Sequence, residues 1–169
     1  GALFADINKF SGIDIARFGN SISEILDRET ITGVSILKQY DDAISVFRLY
    51  YQYELIQGVD RKNVDQIPEE AFREAIANAL VHRTWDIDSH VNIAMFQDRI
   101  RITSPGGLPR GVSEEEYLRG GISILRNPII GNVFYRLHMI EKFGTGIRRI
   151  NDTYQSSMIK PVFTVGENT

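Results

Sequence analysis

The stretch "IPEEAFREAIANALVHRTW", residues 67–85, constrains the fold more than any other. Phe72, Ile76 and Leu80 recur at four-residue spacing, which predicts a helix with one face in a core. Pro68 suits the first helical position, and Glu69 and Glu70 suit the positive end of the helix dipole. Beside the apolar face runs a strip of Ala71, Ala75 and Ala79. Beyond that strip Glu74, Asn78 and His82 stand in line, sweeping only about 80° of helix surface. Small residues next to a polar row leave room for a second body to approach. A carboxylate one turn from an amide can hold a metal-bound water, or orient a water as a general base. The same row also reads as a solvated helix edge, with Glu74 paired to Arg73 or Arg83 and Asn78 capping locally.

The composition permits a packed core around that helix: 43% of the 169 residues are hydrophobic and 24% charged, which suits one domain with some extra structure. The net charge of -3 argues against a domain that holds nucleic acid mainly through phosphates. Cysteine is absent, which excludes disulfides and cysteine zinc sites. His90 and His138 have no partner at metal-ligand spacing, so no zinc site is predicted. No apolar run reaches the roughly 18 residues that would cross a bilayer, and no signal peptide is read. The expectation is a cytoplasmic protein with no membrane partner. The chain opens at Gly1 and is strand-like at once in "GALF", which reads as a piece of a longer protein.

Residues 1–33 read as short strands and turns: "ALFA", "IDIARF", "DRETITG". Ile36, Leu37, Tyr40, Ile44, Phe47 and Tyr51 recur at helical spacing, predicting a long helix over 34–55. "IQGVDRKNVDQ" reads as a polar connector with at most a short strand. After the opening helix, "HVNIAMF" and "RIRITS" alternate apolar and polar residues on either side of "QD", which predicts a hairpin with one buried face. Ser113 and Glu116 stand at capping-box spacing and start a short helix. "RNPIIGNVFYRLHMI" and "IRRINDTYQ" read as further helices, and "PVFTV" as a closing strand. Helices mixed with mostly antiparallel strands predict an α+β layered sandwich.

Two glycine loops flank the second half. "SPGGLPRG", Ser104 to Gly111, leaves the hairpin. "FGTGIRR", Phe143 to Arg149, enters a helix. Paired glycines let a backbone approach a ligand closely, and a glycine turn running into a helix aims free N–H groups outward as an anion site. Each also reads as a plain turn. Arg126, Asn127, Arg148 and Arg149 form two basic spots near these loops. They could reach phosphates, or belong to solvated helix faces beside acids such as Glu141.

The order of these parts resembles the Bergerat nucleotide-binding fold of the GHKL group, which includes the gyrase B subunit and sensor histidine kinases. More closely, "PEEAFREAIANALVHRTW", "FQDRIRITSPGGLPRGVS", "LRGGISILRNPIIGNVFY" and "IEKFGTGIRRI" resemble the C-terminal domain of bacterial RecG-related proteins, described as ATP-dependent DNA helicases or transcriptional regulators. That resemblance implies a two-layer α/β sandwich over 34–169, with helices on one face of a mixed sheet. Residues 1–33 then correspond to the tail of a preceding Schlafen-like, AlbA-type domain. It implies ATP and magnesium as cofactors. Glu74 falls on the position of the base, Asn78 on that of the magnesium ligand, Gly106 and Gly107 on the first glycine box, and Gly144, Thr145 and Gly146 on the phosphate turn. His82, Ser104, Arg126 and Asn127 border the same implied pocket. DNA binding is expected through flanking domains of a longer protein, with the fragment as a regulatory module and a magnesium-dependent ATPase as its enzymatic form. A degenerate dimerisation or scaffold module, and direct nucleic-acid binding through the arginine spots, are the alternatives.

The sequence departs from the pattern at one place. Ser104 and Pro105 stand where the superfamily carries its adenine-binding aspartate. A hydrogen bond to a charged group contributes about 1.5–3 kcal/mol against about 1 for a neutral one, so adenine selectivity should be weakened. No G-x-x-x-x-G-K-[ST] motif is present, so no P-loop helicase motor is predicted. His82 is expected to cap its helix end as a partial cation, and Trp85 to pack. The aromatic run Phe47, Tyr50, Tyr51, Tyr53 reads as packing surface, with a homo-oligomer interface as the alternative.

Overall fold

The computed structural model describes residues 1–57, 60–109, 111–119, 124–141 and 144–169. Arg110 of the first glycine loop, the Gly120–Ser123 part of the "LRGGIS" block, and Lys142 and Phe143 of the second loop lie outside the described residues.

Six strands and five helices are described after a short 3-10 turn at Ala2–Phe4: β1 (Ile13–Phe18), β2 (Ile25–Ile31), α1 (Ile36–Tyr51), β3 (Gln52–Gln57), β4 (Asp60–Asp65), α2 (Glu69–His82), β5 (Val91–Met95), β6 (Ile100–Thr103), α3 (Glu114–Arg119), α4 (Pro128–Arg136) and α5 (Gly146–Thr153). The main sheet runs β2-β1-β5-β6. β1 and β5 are parallel, with Ile13 opposite Val91 and Ile15 opposite Ile93, while the outer pairs are antiparallel. The sheet is therefore mixed, and β1 and β2 sit in it beside the predicted 91–103 hairpin. Alternation decides the faces. Ile13, Ile15, Val91, Ile93 and Met95 are buried, while Asn92 points outward. On the buried face lie α1 and α2, whose Phe47 and Phe72 rings stack at 4.4 Å. The result is an α+β two-layer sandwich.

Local chemistry sets most boundaries. Ser35 caps α1 by accepting from the Lys38 amide at 3.2 Å. Ser113 and Glu116 form the predicted capping box, at 3.1 and 3.2 Å. Three expectations are corrected. The strand-like "GALF" is a 3-10 turn at Ala2–Phe4. The long helix stops at Tyr51 rather than 55, and residues 52–57 form a strand that pairs with β4, Tyr53 opposite Val64. The apolar spacing continues past Tyr51, but the aromatic run also favours a strand once a partner strand is near. "PVFTV", residues 161–165, is not a strand. Alternation alone makes no ladder, and no described strand takes these residues as a neighbour.

One side chain ties the layers together. Arg83, just past α2, is fully buried. Its guanidinium donates to the carbonyls of Ser11 at 3.0 Å and Gly12 at 3.3 Å, just before β1, and to that of Ser89 at 2.5 Å, just before β5. It also stacks over Trp85 at 4.1 Å, and Phe10 meets the same indole edge-on at 6.2 Å between ring centres. Trp85 thus packs as the sequence suggests, but Arg83 is no partner for Glu74. Removing core volume should be costly: Phe47→Ala should lower unfolding free energy by about 3–5 kcal/mol. Met158→Ala, at a fully exposed position, should stay within about 0.5 kcal/mol. Urea unfolding of the two variants checks both values.

Candidate functional site

The side of α2 that carries the polar row is covered by α5. Glu74 is 5% exposed and therefore no solvated edge. Its carboxylate accepts from the Asn78 amide at 3.1 Å and faces the Arg149 guanidinium at 3.5 Å. Arg149 also reaches Glu70 at 3.3 Å and Glu141 at 3.8 Å. Both partners expected for Glu74, Arg73 and Arg83, are engaged elsewhere. Arg73 donates to the Tyr40 hydroxyl and lies 3.8 Å from Glu69.

The body for which the small residues leave room is the start of α5. A methyl group added at Gly146 would sit 2.6 Å from the Asn78 amide nitrogen and 2.7 Å from a Glu74 oxygen. Glycine is required there because α2's polar row fills the space a side chain would take. Thr145 precedes α5 as its N-cap without a side-chain cap bond, and Gly144 turns the chain with φ at 63°. Beside this seam opens a cleft of about 320 Å³. Glu69, Glu70, Glu74 and Glu141 face it, against Arg73 and Arg149.

The other residues singled out from the sequence gather at the C-terminal end of α2. Ser104 donates to the Ala79 carbonyl at 2.8 Å. Asn127 donates to the carbonyls of Val81 at 2.7 Å and Arg83 at 2.9 Å, capping the helix end from outside. Arg126 donates to Thr84 and to the Gly107 carbonyl. Gly106, with φ at 100°, donates its amide to the Asn168 carbonyl at 2.8 Å. A side chain at Gly107 would strike the backbone of Glu167. The close approach that these glycines permit is made by the chain's own residues 166–169. All the proposed site residues thus line α2, in two groups: Glu74, Asn78 and Gly144–Gly146 at its middle, and His82, Ser104, Gly106, Gly107, Arg126 and Asn127 at its end. Sequence reasoning missed how Arg149 enters the first group, since only the packing of α5 across α2 brings it there. Arg148 is exposed on the opposite side of α5.

Burial sets the charge states. Desolvation raises the Glu74 pKa above the ordinary 4.5, opposed by Arg149 and Asn78 and assisted by Glu141 and Glu70. Burial, with Arg126 beside it, holds the His82 imidazole below the ordinary 6.5. The expected partial cation at the helix end is therefore corrected: a half-buried imidazole next to a guanidinium stays neutral, and Asn127 does the capping.

In this arrangement the chain's own side chains crowd the Gly146 turn where a phosphate would sit. The space against Gly146 is held by Glu74 and Asn78, and among the described residues no group of three or more His, Cys, Asp or Glu could hold a metal ion. No helix among them is long and apolar enough to cross a membrane.

Residues 88–169 match the family described as "Putative ATP-dependent DNA helicase recG C-terminal". The RecG-related, HATPase-type resemblance is thus borne out, and with it a GHKL-like ATPase fold and a domain of nucleotide-binding type. The whole chain is similar in fold to the DIP2311 protein of Corynebacterium diphtheriae, at 24% identity and a TM-score of 0.80, over 95% of this chain and 33% of that one. This chain therefore spans a third of that protein's length. No curated protein matches.

The two buried titratable groups should shape stability in opposite pH windows. Glu74 keeps its proton to higher pH when folded. Its contribution is full below 4.5 and is lost as pH rises through the folded pKa. Glu74→Gln should flatten that fall. His82 takes its proton only at lower pH when folded. Its contribution is full above 6.5 and is lost as pH falls through the folded pKa. His82→Gln should flatten the acid limb. Urea midpoints measured between pH 4 and 8 (an approximate range bracketing both ordinary pKa values) read both effects.

Proposed function

We propose that this chain is a regulatory domain of nucleotide-binding type, within a longer RecG-related protein that binds DNA through flanking domains and regulates transcription. In the arrangement described, it does not turn over ATP. The observation that carries this reading is the filled seam at Gly146, where Glu74 and Asn78 stand and Arg149 neutralises the buried carboxylate. Charge agrees with it. The adjoining cleft sets four carboxylates against two guanidinium groups, an environment that repels a triphosphate. Hydrogen bonding agrees as well. Ser104, Arg126 and Asn127 have given their donors to Ala79, Thr84, Gly107, Val81 and Arg83.

A second reading, a magnesium-dependent ATPase, is favoured by one observation. Burial raises the Glu74 pKa, and a carboxylate tuned upward suits a general base. It requires Arg149 to leave Glu74 and the 166–169 backbone to leave Gly107.

Titration with ATP and ADP, with and without magnesium, followed by amide NMR shifts and phosphate release, separates the two readings. No magnesium-dependent shifts at Glu74, Asn78 and Gly144–Gly146, and no phosphate release, are expected. Shifts at those residues together with release that Glu74→Ala abolishes would overturn the regulatory, non-hydrolysing reading.

A further inference from the structure

β3 and β4 form a two-stranded sheet joined to no other strand among the described residues. A hairpin standing alone is marginal in water and needs further strands or a covered apolar face. This one is poorly covered: Tyr53, Leu55 and Ile56 are 48%, 38% and 65% exposed. β4 also presents an outer edge of unpaired backbone groups, a template for another strand.

We propose that β4 pairs antiparallel with β4 of a second copy of this chain across a two-fold axis, making a four-stranded sheet in the order β3-β4-β4-β3. The charge pattern sets the register. In such a pair, facing residues must point to the same side of the sheet, so the axis passes through a single residue. With the axis at Asn63, Arg61 faces Asp65 of the second copy, Asp65 faces its Arg61, and the two Asn63 amides face each other. These residues share one side of the hairpin. Within a copy, Arg61 lies 3.5 Å from Glu54, and Gln52 donates to Asp65 at 3.0 Å, so the interchain pairs extend existing polar rows. Tyr53 and Val64, paired across the hairpin, lie on the other side with Leu55.

β2, an edge of the main sheet among the described residues, opposes such pairing in its central registers. In β2 an axis at Asp27 or Glu29 sets an acid against itself, and an axis at Arg28 sets Asp27 against Glu29. Pairing along one six-residue strand is small beside the roughly 1,000 Å² of a stable interface, so a weak dimer is expected, with a dissociation constant on the order of micromolar.

Sedimentation equilibrium of this chain from about 1 to about 500 μM is expected to show a monomer–dimer equilibrium. Arg61→Asp and Asp65→Arg, each placing like charges opposite one another twice, should weaken it at least about tenfold. The double variant, which swaps the charges, should recover most of the loss. A second readout uses the absence of native cysteine: Asn63→Cys should form a disulfide dimer under mild oxidation, and Glu29→Cys on β2 should not. A monomer at every concentration, a double variant as weak as the singles, or no Asn63→Cys dimer would each overturn the proposal.

Discussion

The buried guanidinium of Arg83 is the point on which the architecture hangs. It lies where three pieces of chain meet: the end of α2, the entry to β1 and the entry to β5. Its donors go to backbone carbonyls at both strand entries, so it fixes where the two central strands begin. Burial pulls its pKa down to about 10, which leaves it charged at neutral pH. No carboxylate bonds it directly, and the charge is solvated by carbonyl dipoles and the Trp85 face instead. Such a group is costly to strand, and its hydrogen-bond acceptors are all backbone carbonyls, so the layer geometry and the charge support one another.

From that anchor α2 runs along the sheet and becomes the wall against which the rest of the C-terminal half is assembled. β6 is held to it through Ser104, α4 through Asn127, and α5 through the Glu74–Arg149 contact. The polar row that attracts attention in the sequence is thus a joint between helices. A carboxylate at a helix start is electrostatically favourable for the same reason a phosphate would be. In this arrangement Glu74 supplies the negative charge beside the start of α5.

Legibility in the sequence followed the range of the interaction. The amphipathic pattern of α2, the β5–β6 alternation and the Ser113–Glu116 box are written within a few residues, and the structure has each where local reading puts it. The end of α1 was not legible, because Tyr51 and Leu55 fit a helix until β4 offers a ladder. The failed 161–165 strand shows the converse, since Val162 and Thr164 alternate with Phe163 and Val165 without a partner. In the site, Glu74, Asn78 and Gly146 were legible as neighbours through the family's order of parts. Their use was not, because Arg149 reaches Glu74 only through tertiary packing. Nothing in the local sequence marks Arg83 as buried.

The parallel pairing of β1 with β5 carries a kinetic consequence. Ile13 finds Val91 only after two helices and a hairpin have intervened. Closing so long a loop is entropically slow, and non-local sheets fold later than local helices. During synthesis β1 and β2 emerge first and form a hairpin whose inner edge stays open. The sheet cannot close until the segment beyond α2, with Arg83 and β5, has left the ribosome. Through that interval Ile13 and Ile15 have α1 but not α2 to cover them, so the nascent chain is more prone to wrong association before α2 is complete.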